Sequence, residues 1–106
     1  MSWTVQLLPE VLKDLAVIQP NIRLAVSRKI DEVADNPLPQ RCGGFGKELG
    51  KIAGINLSGM CKIKFKAYGL RVVYQLDEEN KTMIIVSIGA RKSNQVYKDA
   101  YHRKHE

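Results

Sequence analysis

The feature that most constrains the fold is a pair of adjacent segments, residues 61–65 and 70–76, separated by Tyr68-Gly69. In the first segment, apolar residues alternate strictly with lysines, in the order Cys-Lys-Ile-Lys-Phe. This period of two is typical of a strand with one face on a core and the other in solvent. The second segment is rich in Val and Tyr, and the glycine between the segments favours a turn. Together they predict an antiparallel hairpin.

The register of this hairpin determines which charges face each other. If Phe65 pairs with Leu70, Lys64 lies directly opposite Arg71, with Lys62 two residues along on the same face. Like charges facing each other across strands destabilise a sheet, so this arrangement indicates an anionic partner. Lysines can also simply protect a strand edge and keep a protein soluble. We favour the functional interpretation because Arg71 falls inside an otherwise apolar strand.

The N-terminal third predicts a strand followed by two helices. A short run over residues 3–8, ended by Pro9, is typical of a strand at or near a sheet edge. From Pro9 the apolar spacing becomes helical, which is expected to turn Leu12 inward and Asp14 outward. A second helical stripe follows Pro20, and two helices with so short a link favour a helical hairpin on one side of a sheet.

The C-terminal half supplies the rest of the predicted sheet. Residues 82–88 form a β-branched run that is typical of a central strand buried on both faces, and residues 94–103 predict a short final helix. Residues 40–59 contain six of the eight glycines and predict little regular structure. The predicted fold class is α+β, with an N-terminal strand and a helical hairpin packed on a mostly antiparallel sheet of about four strands, and a short C-terminal helix.

Length and composition favour one soluble domain spanning residues 1–106. The chain is 44% apolar and 26% charged, which is typical of a globular protein. Its net charge of +6 indicates nucleic acid, an acidic membrane surface or an acidic protein as partner. The longest apolar run, residues 83–86, is far too short to cross a bilayer, and no signal segment is evident. We therefore expect a cytoplasmic protein that does not enter a membrane.

Most familiar catalytic arrangements find no support in the sequence. The acidic residues are dispersed, Cys42 and Cys61 show no metal-ligand spacing, and both cysteines are interpreted as reduced and structural. The histidines, His102 and His105, fall in a terminal tail that is expected to be frayed and solvated. No cofactor and no metal are predicted.

A set of cations and a phenol remains as the candidate chemistry. Such a set can cleave RNA without a metal, because the substrate supplies the attacking 2′-hydroxyl and the protein deprotonates it and neutralises the phosphorane. A lysine packed beside other cations has a lowered pKa, which makes a neutral amine accessible near pH 7. The candidate catalytic residues are Lys62, Lys64, Arg71, Arg91 and Tyr97. Lys66 and Lys92 are assigned to RNA binding, although Lys66, near the turn, is more simply explained as a solubilising lysine.

Three short motifs that contain these residues together resemble the RelE branch of the RelE/ParE toxin superfamily of bacterial toxin–antitoxin systems. They are Lys62-Ile63-Lys64, the run Gly-Leu-Arg-Val-Val-Tyr-Gln over residues 69–75, and Ser-Ile-Gly-Ala-Arg over residues 87–91 followed by Val96-Tyr97. The resemblance covers most of the chain and is strongest from residue 61 to residue 100. It implies a ribosome-dependent endonuclease that cuts messenger RNA in the ribosomal A site, and a cognate antitoxin that holds it inactive.

The resemblance also implies a role for each matching residue. Lys62 and Lys64 match the paired lysines that bind the backbone and activate the 2′-hydroxyl. Arg71 matches the arginine that stabilises the pentacoordinate phosphate, and Arg91 matches the one near the leaving group. Tyr97 matches the tyrosine that stacks on or orients the reacting nucleotide, and either Lys64 or Tyr97 is left as the general base.

Two departures and two alternatives accompany this resemblance. Ala90 stands where family members often carry a further cation, and the glycine-rich segment 43–59 is longer than usual. One alternative function is that of a ParE-like toxin, which shares the fold but inhibits DNA gyrase. The other is a basic hairpin that binds nucleic acid without any reaction.

Overall fold

A five-stranded sheet forms the centre of the computed structural model, which describes residues 2–105. Its strands, in chain order, are β1 (Thr4–Leu7), β2 (Lys47–Glu48), β5 (Met60–Phe65), β6 (Leu70–Asp77) and β7 (Thr82–Ala90). A separate two-stranded sheet is formed by β3 (Lys51–Ile52) and β4 (Ile55–Asn56). The helices are α1 (Pro9–Ala16), α2 (Pro20–Val33) and α3 (Gln95–Lys104).

The strand order in the large sheet is β1-β7-β6-β5-β2. β1 runs parallel to β7, and every other neighbouring pair is antiparallel. The predicted α+β class and the edge position of β1 are therefore confirmed. The sheet has five strands where about four were expected, because the two residues of β2 pair with β5.

The sheet separates two apolar clusters, since successive strand residues point to opposite faces. Val72 and Tyr74 of β6 face the helical hairpin, whereas Val73 faces α3. The hairpin cluster contains Val11, Val26, Ile30, Val33, Cys61, Ile63, Met83 and Ile85. The α3 cluster contains Leu49, Leu57, Met60, Val86, Val96, Tyr97 and Ala100.

α1 begins at Pro9, as predicted, and α2 begins at Pro20 itself, the residue after which the second helical stripe was expected. At both prolines the missing N–H costs no helical hydrogen bond. The predicted inward face of α1 was wrong at two positions. Leu12 is 62% exposed, and Asp14 is turned toward the sheet, where its carboxylate accepts a hydrogen bond from the Ile88 N–H at 3.0 Å. A backbone donor left unpaired at the sheet edge explains this orientation.

The C-terminal segment is ordered where fraying was expected. α3 continues to Lys104, and the His105 ring stacks on the Tyr101 ring at 4.0 Å between centroids. His102 and His105 are nevertheless exposed, as predicted. The two cysteines are free and differ in environment, since Cys61 is buried and Cys42 is exposed. Within residues 2–105, no helix combines the length and apolar character needed to span a bilayer.

Candidate functional site

The β5–β6 hairpin has the register that its sequence predicts. Phe65 pairs with Leu70 and Lys64 pairs with Arg71, so the like charges do face each other across the strands. The connection is a short 3-10 turn, Lys66–Tyr68, closed by Gly69 with φ of +63°. That left-handed conformation favours glycine, which explains why the turn falls where it does.

Arg71 is a buried cation without a carboxylate partner among residues 2–105. Its side chain is 5% exposed, and Nη1 donates a hydrogen bond to the Leu70 carbonyl at 2.9 Å. Nε is buried and has no hydrogen-bond partner in the described part of the chain. Because an uncompensated buried charge is costly, this arrangement indicates an anion that arrives from outside the chain.

The two lysines of β5 lie in a strongly positive environment. Burial lowers the pKa of Lys62, and the charges of Arg71, Lys47 and Arg91 lower it further. The pKa of Lys64 is also lowered, mainly by the charge of Lys47 and then by that of Lys62. Both amines therefore lose their proton more easily than a free lysine does.

Arg91 lies at the same end of the sheet, just after β7. Its backbone N–H donates to the Gly69 carbonyl at 2.9 Å, which ties the end of β7 to the hairpin turn. Its guanidinium is close enough to Lys62 to lower the pKa of that amine. The structure thus brings together four of the five predicted residues around the β5–β6 surface, namely Lys62, Lys64, Arg71 and Arg91.

Tyr97 lies on α3, on the same side of the sheet as these cations. Its ring is 4% exposed and belongs to the apolar cluster that includes Met60 and Val73. A ring packed in this way does not present a face to solvent. Val73 is the cross-strand partner of Lys62, so the tyrosine and the lysines flank the same part of the sheet.

Lys66 and Lys92 are more peripheral. Lys66 is exposed in the hairpin turn, and Lys92 is exposed in the 3-10 segment Lys92–Asn94 that follows β7. Neither charge is among those that lower the pKa of Lys62 or Lys64.

Lys47 is a site residue that was not predicted from the sequence. It lies in β2 directly opposite Lys62, and it is the strongest influence on the pKa of Lys64. No spacing in the glycine-rich segment predicts this contact, because β2 has only two residues and its register depends on the path of the preceding loop. The cationic surface therefore consists of Lys47, Lys62, Lys64, Arg71 and Arg91, and we call it the cationic cluster.

The cationic cluster is suited to binding a phosphate and stabilising additional negative charge on it. Two amines with lowered pKa values offer a proton acceptor, and two guanidiniums offer charged donors. Within residues 2–105, no group of three or more His, Cys, Asp or Glu side chains is placed to hold a metal ion. The functional groups available at this surface are thus cationic side chains.

Comparison with protein families gives a match over most of the chain. Residues 5–95 match the family described as the ParE toxin of type II toxin–antitoxin systems, parDE. The mRNA interferase toxin RelE of Escherichia coli strain K12 is 27% identical over 106 residues, covering 97% of this chain and 98% of that protein. A putative RelE-like toxin protein of Escherichia coli is 29% identical over 104 residues, with the same coverage.

Solved structures show the same fold. A mutant of the Escherichia coli toxin RelE in the free state superposes with a TM-score of 0.74 at 24% identity, covering 97% of this chain and 98% of that one. The toxin in the toxin–antitoxin complex RelBE2 from Mycobacterium tuberculosis gives a TM-score of 0.69 at 24% identity, covering 86% and 93%. These identities are low, and the likeness supports the architecture alone.

Proposed function

Because this chain belongs to the RelE/ParE superfamily of toxins from type II toxin–antitoxin systems, we propose that it is an endoribonuclease that stops translation. In this proposal it cuts messenger RNA in the ribosomal A site. The substrate's own 2′-hydroxyl attacks the adjacent phosphate and expels the 5′-oxygen of the next nucleotide. The products are a cyclic phosphate and a 5′-hydroxyl end, and no metal takes part.

The observation that carries this proposal is the buried Arg71. Its guanidinium is held at the surface of the sheet with Nε unpartnered among the described residues, between the lysines of β5 and Arg91. In the transition state the reacting phosphate develops two negative charges, and its oxygens would accept hydrogen bonds from the N–H groups of this guanidinium. A protein that only needed stability would gain from an apolar residue at this position.

Each member of the cationic cluster then has a role in the reaction. Lys62 and Lys64 bind the backbone, and the lowered pKa of Lys64 supports its neutral amine as the base that deprotonates the 2′-hydroxyl. Arg71 stabilises the phosphorane and Arg91 stabilises the leaving oxygen. Tyr97, with its ring packed against the sheet, would act through its hydroxyl, either to orient the nucleotide or as an alternative base.

The partners in this proposal are an antitoxin, the ribosome and its message. One of the solved structures named above is a toxin–antitoxin complex, RelBE2 from Mycobacterium tuberculosis. A chain of net charge +6 is suited to an acidic antitoxin that covers the cationic cluster, and to the phosphate backbone of RNA. The ribosome would supply the geometry of the A-site codon.

The test is cleavage of a defined message on programmed ribosomes, mapped by primer extension. The expected result is a cut within the A-site codon and a 5′-hydroxyl downstream product. An intact message at saturating protein would contradict the proposal. Salt-sensitive binding without any cut would indicate a nucleic-acid-binding module instead.

A ParE-like gyrase inhibitor is the second candidate, because the family that matches residues 5–95 is described as the ParE toxin. This candidate predicts inhibited supercoiling by purified DNA gyrase and no cut message. The cationic cluster favours the nuclease, since a gyrase inhibitor gives no reason for a buried arginine that lacks a carboxylate partner among residues 2–105. Running both assays on one preparation distinguishes the two functions.

A further inference from the structure

Next to the cationic cluster lies a pocket of about 340 Å³, a volume typical of small-ligand sites. It lies between α2, the loop that precedes β2, and the exposed edge of β5. Four lysines line it, together with one carboxylate and one aromatic ring. These residues are Lys29, Glu32, Phe45, Lys47, Lys62 and Lys64.

Phe45 is 59% exposed, more than Tyr68 of the hairpin turn, which is 47% exposed and does not line the pocket. An exposed phenyl ring adds nothing to the core, and its position beside four lysines is typical of surfaces that bind a base and its phosphate together. Tyr97, by contrast, is buried and cannot offer a ring face. Phe45 is therefore the aromatic ring in the pocket lining that is available for stacking.

The loop that carries Phe45 is held in place by hydrogen bonds. The Phe45 N–H donates to the Asn36 carbonyl at 2.9 Å, and the Gly46 N–H donates to the Leu38 carbonyl at 3.0 Å. From the sheet, the buried Tyr74 hydroxyl donates to the Pro37 carbonyl at 2.8 Å. The aromatic ring is thus presented by a preorganised loop, which reduces the entropy lost when a ligand binds.

Close packing explains two glycines of this loop, Gly44 and Gly46, whereas Gly43 has a left-handed φ of +84°. A Cβ atom at Gly44 would lie 2.0 Å from the Leu38 carbonyl oxygen, and one at Gly46 would lie 2.4 Å from the Tyr74 hydroxyl. Neither position tolerates a side chain without movement of the loop. The glycine-rich composition that obscured this segment in the sequence is what allows the loop to close.

We propose that this pocket binds one nucleotide of the message next to the bond that is cut, with its base stacked on Phe45 and its phosphate held by the lysines. The inference rests on the proposed nuclease function and adds a substrate subsite to it. Lys62 and Lys64 line the pocket and also belong to the cationic cluster, so a nucleotide here is continuous with the reacting phosphate.

A nucleotide fits the pocket better than an acidic peptide from an antitoxin. The lysines would attract either, and the Glu32 carboxylate, which lies 3.5 Å from the Lys29 ammonium, would repel a phosphate and an acidic side chain alike. The same carboxylate can accept a hydrogen bond from the amino group of a base. The exposed ring supplies a stacking surface that a base uses fully and an acidic side chain does not.

The first test measures cleavage on programmed ribosomes at increasing toxin concentration under single-turnover conditions. Phe45→Ala is expected to raise the half-saturating concentration about tenfold and to leave the plateau rate within about twofold, because a stacking contact contributes to binding. Phe45→Trp is expected to restore the wild-type curve. Leu12→Ala is the matched control, since Leu12 is 62% exposed on α1 and does not line the pocket. A Phe45→Ala curve that coincides with wild type would overturn the inference.

The second test separates the pocket from the reaction. The indole introduced by Phe45→Trp is titrated with a non-cleavable 2′-O-methyl trinucleotide, and saturable, salt-sensitive quenching is expected. Leu12→Trp should show no such quenching. Saturable quenching without cleavage by wild type would remove the nuclease function and keep the nucleotide pocket. Cleavage without quenching, or quenching only by an acidic antitoxin segment, would overturn the pocket and leave the nuclease function intact.

Discussion

Arg103 donates two hydrogen bonds to the Asp14 carboxylate, at 2.6 and 2.9 Å, and so joins the last helix to the first. The same guanidinium donates to the Val86 carbonyl at 2.9 Å, and the same carboxylate accepts from the Ile88 N–H at 3.0 Å. β1 pairs with β7 only as far as Ile85. Beyond Ile85, the side chains of Arg103 and Asp14 therefore form the hydrogen bonds to the β7 backbone that a neighbouring strand would otherwise form.

Arg103→Met is expected to lower the free energy of unfolding by about 2 to 3 kcal/mol, because it leaves a partly buried carboxylate without its partner. The side chains of Arg103 and Asp14 are only 14% and 13% exposed. Urea denaturation measures the change. Arg41→Met, which breaks the exposed ion pair with Glu48, serves as control and should cost less than about 1 kcal/mol. Equal losses in both variants would contradict the role of the edge contact.

The parts of the fold that were predictable depend on local patterns. Alternation between apolar residues and lysines indicated the two faces of β5, and the short turn at Tyr68-Gly69 suggested that Phe65 pairs with Leu70. The structure has this register, with Lys64 opposite Arg71. Pro9 marked the start of α1 and the apolar stripe after Pro20 indicated α2, for equally local reasons. Periodicity and turn residues act over a few neighbours, and a single sequence contains that information.

The parts that were missed depend on contacts between distant segments. Asp14 meets Arg103 across 89 positions of the chain, and no local pattern distinguishes it from an ordinary surface carboxylate of α1. Lys47 reaches the cationic cluster only because the preceding loop is fixed by Tyr74, whose hydroxyl donates to the Pro37 carbonyl. Within the site, four of the five cations were predictable from local patterns, and the path of the loop added Lys47.

Gly44→Ala is expected to destabilise the fold by about 2 kcal/mol, because the added Cβ meets the backbone oxygen of Leu38 and the closed loop must move. Gly50→Ala is a matched control, since a Cβ at Gly50 meets nothing within 4 Å. Thermal melts of both variants measure the difference. A Gly44→Ala protein as stable as Gly50→Ala would show that the loop is not closely packed.

Arg71→Met is expected to lower the rate of message cleavage by about a hundredfold or more, because it removes a charged donor from the reacting phosphate. The same change should raise the melting temperature, since it replaces a buried cation that lacks a carboxylate partner among residues 2–105. Arg91→Ala should slow cleavage similarly. Arg28→Met, on the exposed face of α2, should alter neither quantity. A wild-type cleavage rate in both Arg71→Met and Arg91→Ala would remove the site assignment.

Lys47→Gln distinguishes the two candidate bases, Lys64 and Tyr97, through the dependence of the cleavage rate on pH. The charge of Lys47 is the largest cause of the lowered pKa of Lys64, so removing it moves that pKa back up toward the ordinary lysine value. If the neutral amine of Lys64 is the base, the rate rises with pH over a range below that ordinary value. The rising limb should then shift to higher pH in Lys47→Gln, and cleavage at neutral pH should fall.

The measurement is single-turnover cleavage at saturating toxin between about pH 6 and pH 9, so that weaker binding by the variant does not distort the profile. Lys51→Gln provides the control, because Lys51 is exposed in β3 and does not influence the pKa of Lys64. A rising limb that stays in place in Lys47→Gln would assign the base to Tyr97. In that case the lysines of β5 would serve to bind the backbone and to neutralise the phosphorane.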